Sequence, residues 1–126
     1  MIPAEAWDRA HLWQYRARLV RVIDGDTLVA LVDTGFYGRQ EVHLRLAGVN
    51  APELHQPGGR EAEQALAGAL ISNLSPPRPE WYLRVVTLQR ERVVSEVTSF
   101  ERYVAHVWVQ RGDFLYSLAG LLQAPE

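Results

Sequence analysis

The stretch Leu19-Val20-Arg21-Val22-Ile23-Asp24-Gly25-Asp26-Thr27-Leu28-Val29-Ala30-Leu31-Val32 decides the fold. Apolar, mostly β-branched residues fill both halves, and Asp24-Gly25-Asp26 interrupts them with turn chemistry. Asp-Gly between two such runs is a strong hairpin signal, so the region from Arg16 to Val32 reads as two paired strands. Downstream, the segment from Asp33 to Gln40 carries Gly35 and Gly38 and reads as a second turn. Residues 41–47 then alternate, with Val42, Leu44 and Leu46 on one face and His43, Arg45 and Ala47 on the other. Arg45 is therefore expected to point away from the core side of its own strand.

Pro52 blocks continuation of that strand, and 56–59 reads as a loop. Over 60–74 the period becomes helical. Ala62, Ala65, Leu66, Ala69 and Leu70 form one stripe, and Glu61 and Glu63 suit the positive end of the helix dipole. Ser75-Pro76-Pro77-Arg78-Pro79 breaks the chain. Two further strands are expected at 81–88 and 102–110, with 89–101 a polar loop or an extended hairpin. Gly112-Asp113 stops the last strand, and Asp113 is expected to N-cap a helix running through Leu122. Three strands, a helix, two strands and a helix suggest a mainly β domain with α, built as a five-stranded OB-fold Greek-key barrel with helices packed against it. A split ferredoxin-like sandwich would want its first helix after its first strand. The expected division is an N-terminal segment over 1–15 and a single domain over 16–124.

With 126 residues and 48% apolar content the chain affords one core and excludes wholesale disorder. It has no cysteine, which rules out disulfides, thiolate metal sites and a cysteine nucleophile. The first residues show no basic segment followed by an apolar run, so no secretory signal and no membrane span is expected. A net charge of −2 counts mildly against a DNA-coating role. All 13 basic residues are arginine, whose planar fork contacts phosphate bidentately; base composition of a GC-rich coding sequence is the first explanation of that bias, so it decides nothing about the partner.

The charged residues that remain are scattered: Asp24 and Asp26, Arg45, Asn50 and Glu53, and Arg102. Carboxylates hold a hard cation or activate water, and guanidinium groups neutralise charge on phosphate oxygens. Each has a plainer reading. Asp24 and Gly25 are turn residues, Asp26 a hairpin carboxylate, Arg45 a solvated strand face and Glu53 a surface loop acid.

Taken together, Val22-Ile23-Asp24-Gly25-Asp26-Thr27, Leu44-Arg45-Leu46-Ala47-Gly48-Val49-Asn50-Ala51-Pro52-Glu53, Gly59-Arg60-Glu61-Ala62 and Ser99-Phe100-Glu101-Arg102-Tyr103-Val104-Ala105 resemble the staphylococcal nuclease-like (thermonuclease) domain family. The resemblance covers most of the chain from Val20 to Leu122. It implies an OB-fold endonuclease, a hydrolase that cleaves DNA and RNA phosphodiesters with calcium. It implies that Asp26, Asn50 and the Ala51 carbonyl are metal ligands. It implies that Glu53 activates water and that Arg45 and Arg102 bind phosphate.

Two positions depart from the family. Asn50 stands where aspartate is usual, so calcium binding is expected to be weaker. Glu101 stands where glycine is common and either pairs with Arg102 or faces solvent. An alternative function is a catalytically impaired module that binds nucleic acid or protein. Tyr103 and Tyr116 are expected to border a nucleotide pocket. His55, Arg39 and Arg60 read as surface groups, His106 as structural, and Trp7, Trp13, Trp81 and Trp108 as core or edge packing. The implied partners are DNA and/or RNA as substrate, and no membrane. Relatives often carry a third helix after the second; its absence would leave apolar surface, so a monomer or weak homodimer is expected.

Overall fold

The computed structural model describes residues 1–5, 14–71, 79–94 and 99–123, with 91–101 and 123 described by backbone alone. In chain order the elements are β1 (Ile2–Pro3), β2 (Gln14–Asp24), β3 (Thr27–Gly35), β4 (Gly38–Leu46), α1 (Gly59–Ile71), β5 (Leu83–Val94), β6 (Ser99–Arg111), β7 (Phe114–Ser117) and α2 (Leu118–Gln123). Five strands close on themselves in the order β2, β3, β4, β6, β5 and back to β2. Every neighbouring pair is antiparallel except β4 and β6, which run parallel. That circuit is the connectivity of an OB-fold barrel.

Period-two alternation fills the interior. Ala17, Leu28, Ala30, Val32, Leu44, Leu46, Leu83, Val85, Ala105, Val107 and Val109 all point inward and are buried. Leu66 and Leu70 from α1 and Leu118 from α2 join the same cluster, so the helical stripe read from the sequence packs on the barrel. The circuit closes, but β4 covers β6 only from Arg102 to Ala105, so the far end of β6, Trp108 to Arg111, keeps an edge, where β7 pairs.

The expected helix from Asp113 is corrected. Gly112 and Asp113 form the turn between β6 and β7, with Gly112 at φ +63. Residues 114–117 continue as a strand, and only then does the chain turn helical. The reason is the offered sheet edge: Leu115 is fully buried opposite Gln110, and Ile2 pairs with Leu115 from the other side. The Asp113 carbonyl accepts a bond from the Ala4 N–H at 2.9 Å. Asp113 thus closes a turn rather than capping a helix.

Two other expectations shift in extent. The turn after β3 shrinks to Phe36 and Tyr37, with Gly35 paired to Gly38. Of the segment 89–101, residues 89–94 and 99–101 belong to two long paired strands, from Gln89 with Val104 out to Val94 with Ser99, and 95–98 lie outside the described residues. The break at 75–78, the last helical residues 72–74, Trp7 and Trp13 lie outside the described residues.

The Asp24–Thr27 hairpin forms as expected, but Gly25 serves it differently. Gly25 is absent from the positive-φ positions of the described residues. A Cβ there would meet the Ala62 Cβ at 2.5 Å and the Ala51 Cβ at 2.7 Å. The turn therefore presses its backbone onto the start of α1 and onto the loop after β4. Gly25→Ala is expected to cost about 1–3 kcal/mol by overpacking, read as a lowered urea midpoint. An unchanged midpoint would mean that the hairpin does not need this seat.

Candidate functional site

The β2–β3 turn supplies Asp26. Its backbone carbonyl accepts the Leu46 N–H at 2.8 Å, which ties the turn to the end of β4. Its side chain is mostly buried, and each oxygen has a partner. Oδ1 accepts the Thr27 hydroxyl at 3.0 Å, and Oδ2 accepts the Ala51 N–H at 3.3 Å. Asp24 stands beside it and accepts the Asp26 N–H at 3.2 Å. Burial first, then the hydrogen bond to and the negative charge of Asp26, hold the Asp24 carboxyl above its ordinary range. Two crowded carboxylates in one turn are a place where a cation would relieve repulsion.

Arg45 projects from the outer face of β4, as the alternation required, between the buried Leu44 and Leu46. Its Nη2 lies 3.8 Å from Asp26 Oδ2 and donates to Asn50 Oδ1 at 2.9 Å. Four of the six expected site residues thus meet in one place: Asp26 from the turn, Arg45 from the strand, Asn50 and Ala51 from the loop after it. The polar partners that hold them there, Thr27 among them, were not singled out from the sequence.

Glu53 lies two residues beyond Ala51, on the same loop, with its side chain exposed. Gln56 knits this loop. Its side-chain oxygen accepts the Glu53 N–H at 2.9 Å, and its own N–H donates to the Glu53 carbonyl at 2.9 Å. Gly59 opens α1 hard against that carbonyl, where a Cβ would collide with the Glu53 backbone. Gln56 and Gly59 were read only as loop and helix start; loop length and a glycine at a helix boundary were the available signals. His55, expected to be solvated, is exposed, with Nε2 at 3.5 Å from Glu53 Oε2.

Arg102 sits on β6, with His43 as its register partner, while Val104 faces Arg45. Tyr103 and Ala105 turn to the core side, so Arg102 shares the outer face with Arg45, one diagonal step away across the parallel pair. The side chain of Glu101 lies outside those described.

Tyr103 instead lines a cavity of about 160 Å³ at the mouth of the barrel, with Tyr15, Gln40 and Thr87. Tyr116 packs against the core, with the Arg111 guanidinium 5.8 Å from its ring. Neither tyrosine is placed by a described contact beside the Asp26–Arg45 cluster. His106 is exposed while its neighbour Val107 is buried.

Chemically, the cluster joins hard oxygen donors to a guanidinium on one rim of the barrel. That combination suits an anion bridged to a cation, as in a phosphate ester bound with a metal ion.

No family model matches the chain. Over 58 residues it is 47% identical to Protein ParB of Escherichia coli, a match that covers 46% of this chain and 30% of that protein. Over 53 residues it is 43% identical to Micrococcal nuclease of Shigella flexneri, covering 42% of this chain and 28% of that protein. Each match spans less than a third of the relative's own length.

Proposed function

The chain carries a staphylococcal nuclease-like domain, and from that premise we propose that it is a calcium-dependent nuclease, a hydrolase of DNA and/or RNA phosphodiesters. The observation that carries this reading is the meeting of Asp26, Arg45, Asn50 and Ala51, drawn from three separate segments, at one edge of the barrel.

The donor set fits a hard cation. Asp26 and Asp24 offer carboxylate oxygens, Asn50 an amide oxygen and Ala51 a backbone carbonyl, all ligand types that calcium accepts in flexible geometry. Among the described residues no group of three or more His, Cys, Asp or Glu gathers to hold a metal. Ligand charge is therefore low, and affinity falls with it. When bound, the ion would neutralise phosphoryl oxygens and bring water to the phosphorus.

The chain's own residues do the rest. Arg45 and Arg102, on one face of the β4–β6 pair, donate to the non-bridging oxygens as negative charge grows on them. Glu53 accepts the proton of the attacking water, and Gln56 and Gly59 hold its backbone in place. The water oxygen bonds to phosphorus, and the ester oxygen leaves with the electron pair of the broken bond. Asn50 is positioned by Arg45, so one guanidinium serves both the anion and the metal loop.

One observation favours a second reading, a module that binds without cleaving. The Asn50 oxygen is engaged by Arg45, and an amide brings no charge to a cation. The experiment is incubation of the purified chain with plasmid and with single-stranded DNA, in calcium and then in chelator. Cleavage that needs calcium supports the nuclease. In that assay Asn50→Asp is expected to lower the half-saturating calcium concentration by about tenfold or more, following ligand charge. Intact substrate at high calcium, with retained binding, supports the module.

A further inference from the structure

The tip of the β3–β4 hairpin has no part in the site above, yet it is costly to build. Phe36 and Tyr37 lie at φ 56 and φ 64. Two-residue hairpins that need positive φ at both positions favour Asn-Gly or Gly-Gly, because bulky residues are strained there. Both rings are fully exposed, at 105% and 104%, so no packing offsets that strain. The pairing of Gly35 with Gly38 closes the turn, and backbone strain of this kind concentrates at functional positions.

Behind the tip lies a groove of about 430 Å³, lined by Asp33, Phe36, Tyr37, Arg39, Glu80 and Trp81. In its lining the Arg39 guanidinium lies 5.3 Å from the Trp81 ring, and Arg18, beside the groove, lies 5.2 Å from the same ring. Both arginines share Glu80, at 3.0 and 3.5 Å. The groove is thus lined by three aromatic rings, with Asp33 and Glu80 set against Arg39. A tip that inserted into an anionic leaflet would need an excess of basic residues and no groove. A planar heterocycle fits this shape and these π faces.

Arg39 and Arg45 share the outer face of β4, separated by Glu41 and His43. From Gly38 to Arg45 is seven residue steps, about 24 Å at ~3.4 Å each. A nucleic-acid strand lying along that face would reach from the cluster at Asp26 to the tip.

We propose that Phe36, Tyr37 and Trp81 form a remote subsite that holds an unpaired nucleobase of the bound strand several nucleotides from the cleaved bond. The inference rests on the nuclease reading for the path of the strand from the Asp26 cluster to the tip, not for the stacking itself. It makes the preferred substrate a single-stranded segment long enough to span both places.

The test pairs Phe36→Asn with Tyr37→Gly, which replaces the tip by the sequence such a turn prefers. Fluorescence anisotropy reads binding of labelled thymidine oligonucleotides of about twelve residues and of a dinucleotide, with Glu53→Gln in both proteins so that no cleavage intervenes. The expected result is a protein at least as stable to heat, with about tenfold or more weaker binding of the long oligonucleotide and unchanged binding of the dinucleotide. Equal affinity of both proteins for the long oligonucleotide overturns the proposal. So does absence of binding to it, or tip-dependent binding to vesicles of phosphatidylcholine and phosphatidylglycerol in its place. Tip-dependent oligonucleotide binding by a chain that never cleaves in calcium would uphold the subsite and remove the nuclease reading. Cleavage with no tip dependence would do the reverse.

Discussion

Glu53→Gln is expected to lower the cleavage rate by ~10²–10⁴-fold while leaving oligonucleotide binding and the melting temperature unchanged. The substitution keeps the size and the hydrogen-bonding shape of the side chain but removes its basicity. The loop holds Glu53 chiefly through its backbone, which bonds to Gln56 and abuts Gly59, and the side chain's contact with His55 at 3.5 Å is between exposed groups. The carboxylate is 67% exposed, open to the water from which it would take a proton. A variant that cleaves at the full rate would assign proton transfer elsewhere, with His55, 3.5 Å away, the first group to test.

Arg45→Met is expected to split two quantities in opposite directions. Losing a preorganised donor to the transition state should lower kcat by about 10²–10³-fold, or ~3 kcal/mol of barrier. Calcium should bind more tightly, because the substitution removes a positive charge 3.8 Å from Asp26 and frees the Asn50 oxygen that Arg45 now holds at 2.9 Å. Kinetics at saturating calcium and calorimetric titration of the ion measure the two effects separately. Parallel losses in both would mean that Arg45 chiefly organises the loop and that its contact with the ester is secondary.

Particular residues show how far local reading reached. The period-two run at 41–47 put Arg45 outside and Leu44 and Leu46 inside, and the barrel keeps that arrangement. Asp24-Gly25-Asp26 was legible as a hairpin, because turn residues between β-rich runs act over a few positions. Its glycine was misassigned in cause: the demand comes from Ala51 and Ala62, 26 and 37 positions along the chain. The segment after Gly112 reads as helix from its apolar spacing alone. It became a strand because a sheet edge and Ile2–Pro3 were there to pair with it. The candidate site was legible as a set of residue types and illegible as a set of contacts. Nothing local announces that Gln56 fastens the Glu53 backbone.

The amino-acid order by itself determined the succession of elements from β2 to β6, the inward and outward faces of those strands, and which carboxylates and guanidinium groups were available. These follow from side-chain alternation and turn propensity, which act between near neighbours. Only the closed barrel decided that Asp26, Arg45, Asn50 and Ala51 touch, that Arg102 comes up one strand away, and that two bare aromatic rings stand at a strained tip. Those facts depend on surfaces brought together across long stretches of chain, where close packing leaves each group one place to go.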